Sequence, residues 1–216
     1  MNILFIGNSH TYMNAMPRML QALAEAGRNG LEVRLEQSTG RGVSLEWHWK
    51  HPVTREMITG KPWDYVVLQE RSGGPLEEPE TFQQYAGLLG AEIRKQGAQS
   101  ILYMTWANRR RPETQAIIAD AYAKAAANLR AVLAPVGNVW AQVHRLDPLF
   151  DLYHADGRHA NPVGSYLTAC VFYSVLFKTS PQGLPGILHG EGKNLVSLDE
   201  QQALFLQTAA FGGGEK

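Results

Sequence analysis

Short apolar runs alternate along this chain with longer stretches of helical periodicity. The runs at residues 3–6 and 65–68 are continuously apolar, which is typical of strands that are covered on both faces of a sheet. Residues 31–35 alternate between apolar and polar side chains, which is the period of a half-buried strand. Two more short runs, at residues 101–106 and 139–143, complete a set of five predicted strands.

Apolar side chains recur at helical spacing between these runs. The pattern predicts helices over residues 17–28, 79–96, 112–133, 162–177 and 198–211. Pro17 suits the first turn of a helix, and Ser197 with Glu200 forms a capping box before the last one. The glycine-rich segment 184–194 is predicted to be a loop.

Five strands that are separated by helices need crossover connections, and these produce a parallel sheet with helices on both faces. The chain shows no internal repeat and no linker, so residues 1–216 are predicted to form one domain. Ligands of parallel sheets bind beyond the carboxyl ends of the strands. The residues that follow predicted strands, and are therefore expected to meet at one edge, are Ser9, Gly40, Gly42, Gln69, Trp106 and Asn108.

Composition narrows the function classes. The chain has 216 residues, and its 44% apolar content is typical of a soluble globular protein. Its 20 basic and 20 acidic side chains cancel, which argues against a nucleic-acid or membrane-surface partner. No run approaches the roughly 18 apolar residues of a membrane span, and no basic signal region follows Met1. Cys170 is the only cysteine, so no intrachain disulfide is possible. We therefore expect a cytoplasmic protein whose partner is a small molecule.

The turn after the first strand, Gly-Asn-Ser-His-Thr, places Ser9 just beyond the carboxyl end of that strand. A serine hydroxyl becomes a nucleophile when a base takes its proton, and histidine is the usual base because its pKa lies near neutrality. The histidine in turn needs a carboxylate to orient it. Asp156 and His159, three residues apart before the predicted helix at 162, have this chemistry. Each feature alone is more often a polar turn or a helix cap, but their combination favours a catalytic serine.

Four stretches together resemble the SGNH hydrolase superfamily, also called GDSL-like esterases and lipases: FIGNSHT, TGRGVSL, DYVVLQERS and ADGRHANPVGSYLTA. The resemblance spans residues 3 to about 177. It implies a three-layer α/β/α sandwich of flavodoxin-like type with a five-stranded parallel sheet. It also implies ester hydrolysis through an acyl-enzyme, without metal or cofactor. In that scheme Ser9 is the nucleophile, His159 the general base and acid, and Asp156 the residue that orients His159.

The family builds its oxyanion hole from the N–H of the serine, the N–H of a glycine in the second stretch and an asparagine side chain in the third. The resemblance matches Gly42 to that glycine, with Gly40 as the competitor. The third stretch departs from the family, because it lacks asparagine and Gln69 carries its only neutral side-chain amide. We predict that Gln69 is the third donor. The alternative is that Gln69 caps backbone groups at the strand end. Asn8, where the family usually has aspartate, is expected to stabilise the loop.

Three residues after the fourth strand are predicted to bind substrate: Trp106, Asn108 and Arg109. The run Arg109–Arg111 is either a solvated charged loop or a site for an anionic group on the alcohol side of the substrate. His48 and His51 have no further ligand at metal spacing, so packing is favoured over a metal site.

The predicted function is therefore a serine ester hydrolase that acts on a small soluble ester, with an O-acetylated carbohydrate favoured. A thioesterase or lysophospholipase of the same fold is an alternative. A further alternative is a non-catalytic member of the fold that binds a glycan or a protein.

Overall fold

The computed structural model describes residues 1–27, 32–190 and 192–212. Five strands form its central sheet: β1 (Asn2–Gly7), β2 (Arg34–Thr39), β3 (Tyr65–Leu68), β4 (Gln99–Tyr103) and β5 (Val132–Ala134). All pairings are parallel, and the spatial order is β2-β1-β3-β4-β5. This is the flavodoxin-like order, whose switch point lies between β1 and β3. All five carboxyl ends open at one edge of the sheet.

Ten helices lie in the described residues. They are α1 (Ser9–Tyr12), α2 (Met16–Gly27), α3 (Leu45–Lys50), α4 (Pro52–Thr59), α5 (Gly74–Glu77), α6 (Pro79–Lys95), α7 (Gln115–Leu129), α8 (Val136–Leu146), α9 (Pro162–Phe177) and α10 (Glu200–Gly212). Strands β6 (Ile187–Gly190) and β7 (Lys193–Ser197) form a separate antiparallel pair. None of the helices in the described parts of the chain is long and apolar enough to cross a membrane.

Alternate side chains of β1 enter two different cores. Ile3 and Phe5 belong to a core that they share with α2, α8, α9 and α10. Leu4 and Ile6 belong to a second core, with α6 and α7 on the opposite face. All four side chains are fully buried, so the sheet is covered on both faces. The predicted three-layer α/β/α sandwich with a five-stranded parallel sheet is confirmed.

The predicted fifth strand is wrong. Residues 139–143 lie inside α8, and the fifth strand is Val132–Ala134, which the sequence analysis placed at the end of a helix. The buried residues Val136, Val139, Trp140 and Val143 recur at i, i+3, i+4 and i+7, which is a helical face. Helix α7 ends at Leu129 because Arg130 adopts a left-handed conformation with φ 53°.

Other predicted bounds differ by smaller amounts. Helix α9 begins and ends where the pattern predicts, at Pro162 and Phe177. The predicted loop 184–194 contains β6 and the start of β7. Two predicted element ends, Arg28 and Leu31, lie outside the described residues. Four short helices, α1, α3, α4 and α5, are not predicted, because segments of four to eight residues are too short to show a period.

Candidate active site

Ser9 lies at the carboxyl end of β1, where the strand turns into the short helix α1. Asn8 caps this helix, since its side-chain oxygen accepts a hydrogen bond of 3.1 Å from the N–H of His10. The side-chain amide of Asn8 also donates to the carbonyl of Val43 at 3.0 Å. Asn8 therefore holds the serine turn in place and ties it to the loop that follows β2, which is the loop-stabilising role expected of it.

His159 and Asp156 lie in the loop between α8 and α9, and they form a hydrogen-bonded line with Ser9. The Ser9 Oγ is 2.9 Å from the His159 Nε2, and the His159 Nδ1 is 2.6 Å from the Asp156 Oδ2. The other carboxylate oxygen accepts backbone N–H bonds from Arg158 at 2.8 Å and from His159 at 2.9 Å. The structure thus brings together the three residues that are 150 positions apart at their extremes.

The environment of Asp156 keeps its carboxylate ionised. Burial raises the pKa of this group, but the hydrogen bonds from the His159 side chain and from the backbone N–H groups of His159 and Arg158 outweigh burial. They hold the pKa of Asp156 well below its usual range. A permanent carboxylate at Nδ1 keeps the proton there, so the neutral His159 can accept a proton at Nε2.

Gly42 lines the same cavity as Ser9, whereas the N–H of Gly40 already donates to the carbonyl of Gly7 at 3.3 Å. Gly42 has φ +66°, and a Cβ built on it meets no atom within 4 Å. Glycine is favoured there because other L-residues are strained at positive φ. Of the two candidates from sequence, the geometry favours Gly42 as the backbone donor.

The structure contradicts the predicted oxyanion role of Gln69. Its Oε1 accepts hydrogen bonds from the N–H of Asn8 at 2.9 Å and from the Thr11 hydroxyl at 3.0 Å. Its amide donates to the Asn8 Oδ1 at 3.0 Å and to the Glu70 carbonyl. Both amide hydrogens are therefore engaged, and the fully buried Gln69 is not in the cavity wall. The geometry matches the alternative, in which Gln69 fastens the serine turn to the end of β3.

Replacing Gln69 with alanine should lower the free energy of unfolding by about 2–4 kcal/mol, because buried polar groups of Asn8 and Thr11 lose their partners. Urea unfolding measures this change. Gln83→Ala removes an amide of the same size in α6, outside the site, and should cost about 1 kcal/mol. A fall in kcat with unchanged stability would instead restore the oxyanion role to Gln69.

A cavity of about 690 Å³ opens over Ser9 at the edge where the strands end. Ser9, Gly42, Asp156 and His159 are in its wall, as are segments that follow β1, β2, β3 and β4. The convergence predicted from the parallel topology is therefore observed.

A solved structure from Slackia heliotrinireducens, assigned to the SGNH hydrolases, is 33% identical to this chain. The match covers 82% of this chain and 98% of that one, with a TM-score of 0.69. This chain belongs to the SGNH hydrolase family.

Two more distant structures share the fold of this SGNH hydrolase. A DUF4886 family protein from Bacteroides uniformis is 21% identical, with a TM-score of 0.81 over 98% of this chain and 93% of its own. The acetyl xylan esterase AlAXEase is 16% identical, with a TM-score of 0.65 over 81% of this chain and 98% of its own. No protein-family model and no curated protein sequence matches the chain.

His10, for which the sequence predicts no role, packs against the histidine of the site. Its ring lies 5.1 Å from the rings of both His159 and Trp106, measured between centroids. Its Nε2 is buried and has no hydrogen-bond partner among the described residues. Burial is the main cause that lowers the pKa of His10 to about 3, and the proximity of His159 adds to this lowering. His10 is therefore a neutral ring that packs behind His159. Its position directly after Ser9 is the only feature of the sequence that indicates this contact.

Trp106 is in the cavity wall, as predicted, but it is almost fully buried there. Strand β4 ends at Tyr103 rather than at residue 106, so Trp106 turns inward and is only 2% exposed. It stacks on Trp140 at 3.9 Å, and its Nε1 donates to the carbonyl of Arg158 at 2.9 Å. Although its edge reaches the cavity, Trp106 mainly supports the loop that carries His159.

The predicted substrate role of Arg109 is contradicted, whereas Asn108 is in the cavity wall. Asn108 shapes the turn by accepting the N–H of Arg110 at 2.9 Å. Arg109 points away from the cavity, pairs with Asp151 and lies 4.9 Å above the ring of Tyr153. The next-but-one residue, Arg111, is in the cavity wall instead. A turn decides which arginine of the run faces the cavity, and the sequence does not give its geometry.

His48 belongs to a buried network behind the serine turn. Its Nε2 is 2.9 Å from the carbonyl of Gly7, and its Nδ1 is 3.0 Å from the Thr54 hydroxyl. Burial lowers the pKa of His48 to about 4. In the described residues, no group of three or more potential metal ligands includes His48 or His51. The contacts of His48, and the stacking of His51 on Trp47 at 4.1 Å, match the packing interpretation.

We expect the protein to lose stability between pH 7 and pH 5. Below pH 6.5 the unfolded chain takes up protons on His10 and His48, whereas the folded chain does so only near pH 3 and pH 4. Each histidine should cost about 2 kcal/mol at pH 5. Glu70 opposes part of this loss, since burial raises its pKa.

Urea unfolding at both pH values measures the loss, and the variant His48→Gln should show a smaller one. Equal stability of the parent protein at pH 7 and pH 5 would contradict the neutral state of the two buried histidines.

Proposed function

We propose that this SGNH hydrolase is a serine esterase in which Ser9, His159 and Asp156 perform the chemistry. The hydrogen-bonded line from the Ser9 Oγ through the His159 ring to Asp156 carries the proposal. His159 takes the serine proton at Nε2 as the Ser9 Oγ attacks the ester carbonyl carbon. His159 then gives that proton to the departing alcohol, which leaves an acyl group on Ser9. A water molecule, activated by the same nitrogen, hydrolyses the acyl-enzyme.

Two backbone groups are the proposed donors to the oxyanion, the N–H of Ser9 and the N–H of Gly42. Such donors act without reorganisation because the backbone already holds them in place. Ser9 is the first residue of α1, and Gly42 is in the cavity wall, on the loop after β2. Gln69 and Asn8 contribute indirectly, since their hydrogen bonds fix the turn that carries Ser9.

The composition of the cavity wall favours a substrate with a small acyl group. The proposed substrate class is an O-acetylated carbohydrate. A long acyl chain needs a continuous apolar channel. Only a few aliphatic side chains are in this wall, and charged side chains outnumber them. The aliphatic side chains are Met13, Leu76 and Ile118. A sugar suits such a polar, open cavity better than a lysophospholipid or a long-chain thioester does.

A fluorophosphonate probe tests the nucleophile. Ser9 should be labelled covalently, labelling should disappear in Ser9→Ala, and it should persist in Ser72→Ala, which removes another serine hydroxyl of the same cavity wall. No labelling of the parent protein would favour a non-catalytic binding protein. Nitrophenyl esters from acetate to palmitate, with acetylated sugars beside them, test the acyl length, and activity confined to long chains would overturn the proposed substrate class.

A further inference from the structure

The wall of the catalytic cavity is rich in arginine although the chain as a whole has no net charge. Its charged side chains are Arg41, Arg71, Arg111 and Arg158, with the carboxylates of Glu77 and Asp156. These arginines come from four separate loops, so neighbouring positions in the sequence do not explain their clustering.

Not all of these arginines are neutralised by protein carboxylates. Arg71 pairs with Glu77 at 2.8 Å and with Glu78 at 3.0 Å. Among the described residues Arg111 has only a distant partner, since its Nε is 3.6 Å from Glu113 and both side chains are 69% exposed. Neither Arg41 nor Arg158 has a side-chain ion pair with any residue that the structure describes.

The segments that carry Arg111 and Arg158 are joined to each other, and Arg158 directly precedes His159. The peptide of Arg158 is fixed at both ends, since its N–H donates to Asp156 and its carbonyl accepts from Trp106. The loop of Arg111 is tied to the same segment by a 2.9 Å hydrogen bond from the N–H of Arg109 to the carbonyl of Gly157.

The position of the leaving alcohol follows from the proposed role of His159. In the proposed function, His159 protonates the alcohol oxygen from Nε2, so the alcohol lies next to His159 in a cavity whose wall includes Arg158 and Arg111. Arg41 directly precedes Gly42 and therefore lies on the oxyanion side.

We propose that the substrate is an ester whose alcohol portion carries a carboxylate or phosphate group, which Arg111 and Arg158 bind. The inference rests on the proposed esterase function. Guanidinium groups bind both anions through paired N–H bonds. A bound anion also supplies the close partner that neither guanidinium has among the described residues. Arg41, in the same cavity wall, adds a further positive charge.

Three matched esters test the proposal: O-acetylated glucuronic acid, its uncharged amide, and O-acetylated glucose 6-phosphate. The measured quantity is the ratio of kcat/KM for each anion to kcat/KM for the amide. In the double variant Arg111→Gln/Arg158→Gln this ratio should fall by about tenfold or more for the preferred anion. Comparing ratios removes any general effect of Arg158→Gln on the position of His159. The two anionic arms show whether the site prefers a carboxylate or a phosphate.

Arg110→Gln is the matched control, because Arg110 is in the same loop, is exposed and is not in the cavity wall. It should leave the ratio unchanged. Raising the salt concentration from about 0.05 M to about 0.5 M should lower the ratio for the parent protein, since screening weakens exposed charge interactions. If the double variant and the control give the same ratio, the proposal is overturned.

A binding measurement separates this proposal from the esterase function. Calorimetry with Ser9→Ala should give a lower Kd for the acetylated glucuronic acid or the acetylated glucose 6-phosphate than for the amide, and the double variant should abolish this difference. Anion-selective binding by a protein that hydrolyses no ester would contradict the esterase and support the arginine site. Hydrolysis of all three esters without any anion preference would support the esterase and overturn the arginine site.

Discussion

Ser9→Ala should abolish ester hydrolysis, lowering kcat by about 10⁴-fold or more. The variant removes the oxygen that attacks the ester, and His159 cannot replace it with a comparably placed nucleophile. The fold should remain intact, because the Ser9 Oγ makes its hydrogen bond with His159, whose side chain is 22% exposed and can bond water instead. The free energy of unfolding should change by less than about 0.5 kcal/mol.

Steady-state hydrolysis of nitrophenyl acetate and urea unfolding measure the two quantities on the same preparation. Ser72→Ala, in the same cavity wall but without a hydrogen bond to His159, is the matched control for the loss of a hydroxyl group. Retention of more than a few per cent of parental kcat by purified Ser9→Ala would show that another group is the nucleophile.

The sequence predicts those parts of the site that depend on local pattern. Ser9 follows a continuous apolar strand, and Asp156 and His159 are three residues apart, so a single turn brings their side chains together. Helix α9 is predicted to the residue because Asn161 and Pro162 mark its start, and Asn161 caps it through the N–H of Gly164 at 2.9 Å.

The remaining parts depend on contacts that no local pattern encodes. Strand β5 has three residues and pairs with β4 alone among the described strands, so it gives no periodic signal. The valines of α8 resemble a strand instead, because β-branched residues favour strands. Gln69 reaches the serine turn because Leu68 of β3 is in register with Ile6 of β1, and register follows from the whole sheet. A resemblance to a family supplies a role for a position, but only the register shows where the side chain of Gln69 points.

The electrostatic features of the site cannot be read from the sequence either. A count of charges gives zero, yet four arginines from separate loops meet at one cavity. His10 is neutral because it is buried behind His159, which adjacency to Ser9 alone does not reveal. Both features arise where the carboxyl ends of parallel strands bring distant loops together.

Asp156→Asn should lower kcat by up to about 10⁴-fold without unfolding the protein. The carboxylate accepts a hydrogen bond at the His159 Nδ1, so it holds the ring proton on that nitrogen. An asparagine can present its amide N–H there, which favours the tautomer whose proton is on Nε2. That nitrogen then has no lone pair for the Ser9 proton, and the charge that stabilises the imidazolium is lost as well.

The loss should lie in kcat, because the orientation of His159 matters most in the transition state. Asp147→Asn makes the same change of charge in the same loop, and asparagine can still accept the N–H of Leu149 there, now 3.0 Å from the carboxylate. This control should keep parental kcat. If Asp156→Asn stays within about tenfold of the parent, Asp156 does not set the tautomer of His159.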